Sequence, residues 1–113
     1  MANGVIIPLG IDEDITFTPA QGFSFTNSVC HRVGNMLFIQ GVLSTPVMAA
    51  RTWVTAGTFS VNVEAGARCI AINENTARRI YVQSLTNGIQ VFNTATEQVA
   101  NDFMFTFVCK ITP

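Results

Sequence analysis

Apolar and polar residues alternate with a period of two along most of the chain, the pattern of β-strands that bury one face. In the segment 23–33 the alternation predicts one buried face made of Phe23, Phe25, Val29 and Val33. A second alternating run near the end of the sequence predicts another, made of Phe103, Phe105, Phe107 and Cys109. Together these runs predict about eight to ten short strands and no convincing helix.

The segment 36–43 is apolar at nearly every position, which predicts a central strand covered on both of its faces. Taken over all strands, the pattern predicts a core made of Phe25, Val33, Phe38, Ile39, Ile70, Ile72, Val82, Val91, Phe105 and Phe107. A further strand is predicted over residues 4–9, and one helical turn around 96–98.

Two tight-turn pairs separate strand-like runs, Gly34-Asn35 and Asn87-Gly88. Both residue types tolerate the positive φ of two-residue hairpin turns, so each pair predicts an antiparallel hairpin. Antiparallel hairpins and regular short strands indicate an all-β fold, an antiparallel β-sandwich of jelly-roll type. We expect a single domain over 1–113, with N-terminal strands or an arm at 1–22 and the core at 23–111.

The low content of charge changes this picture. Charged residues make up 12% of the 113 residues and apolar residues 49%, so the chain has few charges with which to cover its surface. Either Thr, Asn, Ser and Gln cover it, or part of it lies in subunit interfaces. We favour interfaces and predict a homo-oligomer, with a homotrimer as the preferred state. The net charge of −1 and the absence of a basic cluster argue against nucleic-acid binding.

Other compositional features narrow the location of the protein. No apolar run approaches the length of a membrane span, so we expect no membrane insertion. The first residues lack the basic region of a signal peptide. Three widely spaced cysteines, Cys30, Cys69 and Cys109, are expected to be buried free thiols, in agreement with assembly in a cytosol.

Candidate catalytic chemistry is sparse. His31 is the single histidine and shares its predicted strand face with Val29 and Val33, which favours a structural role; a carbohydrate or interface contact and a catalytic role are the weaker alternatives. The acidic run 12–14 is expected to be a solvated turn. Phosphate loops and metal-ligand spacings are missing. We therefore predict no enzymatic activity, no cofactor and no metal.

Candidate binding residues are easier to name. Trp53 and Tyr81 are the single tryptophan and the single tyrosine, and such rings suit both sugar stacking and protein interfaces. Partial burial at the margin of the core is the alternative for each of them. Asn75 and Arg78, from the polar stretch before the second hairpin, complete the predicted binding set.

The order of the motifs resembles a domain found near the C-termini of tail-fibre, baseplate and minor structural proteins of phages that infect Gram-positive bacteria. The similar elements are Cys30 to Gly41 around Gly34-Asn35, then Trp53, then Thr86 to Phe92, and the Phe-rich run 103–107. The resemblance implies a β-sandwich that assembles as a homotrimer with other virion proteins and binds a host-surface saccharide, such as cell-wall polysaccharide. The alternative is a structural capsid-decoration or virion-assembly protein that binds no glycan.

Overall fold

The computed structural model describes residues 12–96 and 100–112, and this part of the chain is all-β, as predicted. The strand predicted over 4–9, and residues 97 and 98 of the predicted helical turn, lie outside the described residues. The strands are β1 (Asp12–Asp14), β2 (Phe17–Pro19), β3 (Ser24–Val33), β4 (Met36–Ser44), β5 (Trp53–Phe59), β6 (Arg68–Ile72), β7 (Arg79–Leu85), β8 (Gly88–Asn93) and β9 (Asp102–Lys110).

All nine strands belong to one antiparallel sheet of order β1-β3-β4-β9-β6-β7-β8-β5-β2. The sheet curls around its apolar face, and its two edge strands come from one short stretch of chain, residues 12–19. The first half of this stretch pairs with β3 and the second half with β5. Between them, the Ile15 N–H donates to the Cys30 carbonyl at 2.9 Å, and the Thr16 carbonyl accepts from the Ser60 N–H at 3.0 Å. We call residues 12–19 the seam, since they join the two edges of the curled sheet.

The core fills the inside of the curl. β9 places one face of its alternating run there, which confirms the buried face predicted from Phe103 to Cys109. Of the predicted core residues, Ile39, Val82, Val91, Phe105 and Phe107 are buried, and Phe25 packs against them while partly exposed. The Phe25 ring lies 5.5 Å from that of Phe105 and 5.4 Å from that of Phe17 in the seam.

A β-bulge divides β3 into two halves that present opposite faces. Thr26 pairs with Val42 and Val29 with Gln40, so three steps along β3 correspond to two along β4. The extra residue reverses the alternation, because a shift of one residue turns every later side chain to the other face. Phe25 therefore faces the core, whereas Val29 faces outward. The prediction that they share one buried face was wrong.

Four predicted core residues lie on the outer face of the sheet. Val33 is 43% exposed, Phe38 42%, Ile70 52% and Ile72 40%, so their assignment to the core was wrong. Val33 follows the bulge and is turned outward with the second half of β3. The other three alternate with buried neighbours on β4 and β6, and no element of the described chain covers that outer face.

The first predicted hairpin is present. Val33 pairs with Met36, leaving Gly34 and Asn35 as the two turn residues. Gly34 has a φ of 60°, the positive value for which glycine is favoured at the first turn position.

The second hairpin turns one residue earlier than predicted. Leu85 pairs with Gly88, so the turn residues are Thr86 and Asn87, and neither has a positive φ. The turn carbonyls explain the difference, since they accept hydrogen bonds from the last residue of β5 and from the chain that follows it. The Thr86 carbonyl accepts from the Val63 N–H at 2.6 Å, and the Asn87 carbonyl accepts from the Phe59 N–H at 2.7 Å.

Gly88 is required because β8 packs closely against β5, and not because of its φ. A Cβ at Gly88 would lie 2.2 Å from the Gly57 carbonyl oxygen on β5. The obstacle is backbone, so we expect Gly88→Ala to lower the free energy of unfolding by about 1–3 kcal/mol. Urea denaturation at fixed protein concentration measures this.

Thr86→Ala is the matched control for Gly88→Ala, since Thr86 is an exposed residue of the turn that precedes Gly88. It should change the free energy of unfolding by no more than about 0.5 kcal/mol. A Gly88→Ala protein as stable as the wild type would contradict the close approach of β8 to β5.

Candidate functional site

Three aromatic rings form a row on the outer face of the sheet. The row results from strand register, because Phe92 on β8 pairs with Trp53 on β5 and with Tyr81 on β7. The Trp53 and Phe92 ring centroids are 5.0 Å apart, and the Tyr81 and Phe92 rings are stacked at 6.1 Å. Tyr81 is 40% exposed, and the other two rings are half-buried. We call these three side chains the aromatic platform.

Two guanidinium groups flank the platform. The Arg51 guanidinium lies over the Phe92 ring, 5.3 Å from its centroid, and the Arg68 guanidinium lies 5.5 Å from the Trp53 ring centroid. A cation over an aromatic face is attracted by the ring quadrupole, so each contact holds an arginine beside its ring. The Arg68 Nε also donates to Gln83 Oε1 at 3.2 Å.

A buried asparagine positions Arg51. The Asn93 Nδ2 donates to the Met48 and Ala49 carbonyls at 3.1 and 3.2 Å, which fastens the loop before β5 to the end of β8. Arg51 follows in that loop with a φ of 54°, and its N–H donates to the Asn93 carbonyl at 2.9 Å. Its side chain donates to the Thr94 carbonyl at 3.1 Å. The guanidinium is therefore held in place from both ends of the side chain.

This arrangement suits a ligand with flat apolar faces and a hydroxylated edge. Aromatic rings provide apolar area at low entropic cost, and the platform places three of them in line. Hydrogen-bonding groups border the row, because Arg68, Gln83 and Gln90 occupy the next row of the same outer face. A sugar ring has both an apolar face and such an edge.

The structure brings two of the four predicted binding residues together. Trp53 and Tyr81 both contact Phe92 in the aromatic platform. Asn75 and Arg78 lie in the loop between β6 and β7. The Asn75 N–H donates to Asn73 Oδ1 at 3.0 Å, and Asn75 lines a separate shallow depression of about 260 Å³. Arg78 is partly buried in the same loop, and its carbonyl accepts from the Asn73 N–H at 2.9 Å.

Sequence reasoning missed Phe92, Arg51 and Arg68. Phe92 was missed because the predicted turn at Asn87-Gly88 would pair it with Gln83 instead of Tyr81. The alternation of β8 does turn Phe92 to the face opposite the core, and this was the one available signal. The positions of the two arginines depend on the register of β6 and on the Asn93 contacts, neither of which leaves a local pattern.

A second cluster of polar side chains lies at the far edge of the sheet. The run 12–14 is the edge strand β1, so the expectation of a solvated turn was wrong. His31 on β3 contacts both Asp12 and Asp14, the latter at 2.9 Å between Nδ1 and Oδ1. Among the described residues, no group of histidine, cysteine and carboxylate side chains is arranged to hold a metal ion.

The cysteines are poor nucleophiles. All three are free, and Cys109 is buried while Cys30 and Cys69 are half-buried. Burial raises the pKa of Cys30 and of Cys109 to about 11 and that of Cys69 to about 12, because it disfavours the thiolate. At neutral pH these side chains are thiols.

Within residues 12–96 and 100–112, no helix is long and apolar enough to cross a membrane.

No protein-family model and no curated protein matches the sequence. The fold is similar to that of the head domain of phage bIL170, with a TM-score of 0.67 and 16% sequence identity over 88% of this chain and 100% of that chain. The description of that structure asks whether the receptor-binding domains of lactococcal phages share a common fold. At this identity the likeness shows the fold alone.

Proposed function

We propose that this chain is a non-enzymatic component of a phage virion and that it binds a host-surface saccharide through the aromatic platform. The observation that carries the proposal is the row of Trp53, Phe92 and Tyr81 on the outer face with a guanidinium beside two of the rings. The likeness to the bIL170 head domain supports a virion protein of the receptor-binding class. We also propose that the virion component assembles in the host cytoplasm. We further propose that its curled sheet is a β-sandwich of jelly-roll type.

Homo-oligomerisation, as a homotrimer, is the second part of the proposal. An apolar strip supports it, formed by exposed side chains on the outer faces of β3, β4, β9 and β6: Val29, Val33, Phe38, Ile70, Ile72, Met104 and Val108. Register joins them, since Phe38 pairs with Val108 and Met104 with Ile72. Along β9 the outward charges stand at its two ends, Asp102 and Lys110. Three polar side chains of the same face, His31, Gln40 and Thr106, lie among the apolar ones. Exposed apolar side chains gathered on one sheet face in this way mark an interaction surface.

A non-enzymatic role agrees with the chemistry of the candidate nucleophiles. The cysteine pKa values are raised well above neutrality, and both ring nitrogens of His31 face carboxylates. A hydrolase needs a nucleophile or an activated water, a base within reach of it, and a group that stabilises developing charge. Near the aromatic platform, the described side chains do not provide these three groups together.

The experiment is binding of the purified protein to arrayed cell-wall polysaccharides of Gram-positive bacteria. We expect retention on at least one polysaccharide and release of no shortened oligosaccharide on prolonged incubation. Release of shortened oligosaccharides by the folded protein would contradict the non-enzymatic role. Failure to bind any polysaccharide would contradict the receptor-binding role.

The alternative function is that of a capsid-decoration or virion-assembly protein, for which the apolar strip could bind another virion protein. The same preparation distinguishes the two functions. Co-sedimentation with phage capsids or tails, together with no retention on polysaccharide, would favour the alternative.

A further inference from the structure

His31 joins the seam to the body of the sheet. Asp14 is its register partner on β1 and Asp12 pairs with Val33, so both carboxylates lie on the same side of the ribbon as the imidazole. The Nδ1 is 2.9 Å from Asp14 Oδ1, and the Nε2 contacts Asp12 Oδ1. We call these three side chains the His31 clasp.

The geometry of the clasp requires a doubly protonated ring. A carboxylate only accepts hydrogen bonds, so each ring nitrogen must carry a hydrogen to donate to its partner. The neutral imidazole has one N–H and one lone pair, and the lone pair would then face a carboxylate oxygen. Only the imidazolium makes both contacts, and it makes them as charge-assisted hydrogen bonds.

Among the described residues, no other charged side chain faces the ring. On β3 its outward neighbours are Val29 and Val33, and across the sheet it pairs with Phe38 on β4. Glu13 and Arg32 pair on the other side of the ribbon, 4.0 Å apart, and Lys110 belongs to the row of Met36 on the far side of β4. The charge state of the clasp therefore depends on Asp12, Asp14 and His31.

Within the described chain, β1 makes few other side-chain contacts, the Glu13–Arg32 pair at 4.0 Å being one. Its three side chains are exposed, and it pairs with β3 at three positions. We propose that the His31 clasp is a pH-sensitive latch on the seam: the imidazolium holds β1 against β3, and loss of its proton makes β1 open more often. Opening uncovers the backbone edge of β3 from Cys30 to Val33, an unpaired strand edge that can take another strand.

The direction of the pH dependence follows from the pKa. The hydrogen bonds to Asp14 and Asp12 raise the pKa of His31 above its ordinary value of 6.5. A group with a raised folded-state pKa stabilises the closed state fully below its unfolded pKa and loses that contribution as pH rises through the folded value. The latch therefore holds β1 most firmly below pH 6.5 and weakens as pH rises through the raised pKa.

Amide hydrogen exchange tests the latch directly. The probe is the Ile15 N–H, which donates to the Cys30 carbonyl beside β1, measured from pH 5.5 to 9 and corrected for intrinsic exchange. We expect its opening equilibrium to rise by about two- to fivefold over the His31 titration, the range that exposed ion pairs support. Amides of Val82 and Val91 in the core should show no such step.

Variants and NMR complete the test. His31→Gln should remove the pH step, and Asp12→Asn with Asp14→Asn should return the His31 titration, followed by NMR of its ring, toward 6.5. The double variant, Asp12→Asn with Asp14→Asn, keeps the histidine and therefore tests the latch even if His31→Gln does not fold. A wild-type His31 that titrates at or below 6.5, or an Ile15 opening that does not change with pH, would overturn the latch. Neither readout involves saccharide binding, so these experiments test the latch independently of the proposed function.

Discussion

Replacing Trp53 with alanine is expected to weaken binding of a host-surface saccharide by about 30-fold or more, the loss of about 2 kcal/mol that marks a binding hot spot. The substitution removes the ring at one end of the aromatic platform. It also removes the surface against which the Arg68 guanidinium lies at 5.5 Å. Both an apolar sugar contact and an oriented hydrogen-bond donor are therefore lost together.

The measurement is titration calorimetry with whichever polysaccharide the array identifies. Trp53→Phe keeps an aromatic face and should retain most of the affinity, which separates stacking from a general loss of structure. Thr58→Ala is the matched control, since Thr58 is an outward-facing residue of the same strand beyond its bulge. Thermal unfolding of each variant checks the fold. Wild-type affinity in Trp53→Ala would place the saccharide site elsewhere.

Replacing Phe38 with glutamate is expected to convert the proposed oligomer to a monomer. Phe38 is 42% exposed in the single chain and stands in the apolar strip beside Val108. If a second copy covers the strip, the glutamate would be buried in the interface without a hydrogen-bond donor, because its cross-strand neighbour His31 already uses both ring nitrogens on Asp12 and Asp14. An unpaired buried charge costs about 3–5 kcal/mol, so the dissociation constant should rise by at least about 100-fold.

Light scattering coupled to size-exclusion chromatography at micromolar concentration measures the mass. We expect about three times the chain mass of 12.3 kDa for the wild type and the chain mass itself for Phe38→Glu. Thr58→Glu places the same charge on the outer face of β5, away from the strip, and should leave the oligomer intact. A wild-type monomer, or a Phe38→Glu protein of unchanged mass, would contradict the proposed interface.

These two predictions concern different parts of one outer face, and the sequence indicated each only in part. Trp53 and Tyr81 were found as binding candidates because their rings are unique in the chain. Phe92, which joins them, was not, because its partner depends on where the β7–β8 hairpin turns. The low charge content predicted an interface without locating it, and the exposed fractions of Phe38 and Ile70 suggest where it lies.

The alternation of apolar and polar residues determined the all-β class, the buried face of β9 and the first hairpin with its Gly34-Asn35 turn. These features are local: a period of two and a glycine with positive φ act within a few residues of chain. The tertiary structure decided the rest through contacts between distant segments. The bulge in β3 turned Val29 outward, and hydrogen bonds from Phe59 and Val63 moved the second turn. Since one residue of register exchanges the two faces of a strand, such contacts determine which side chains reach the surface.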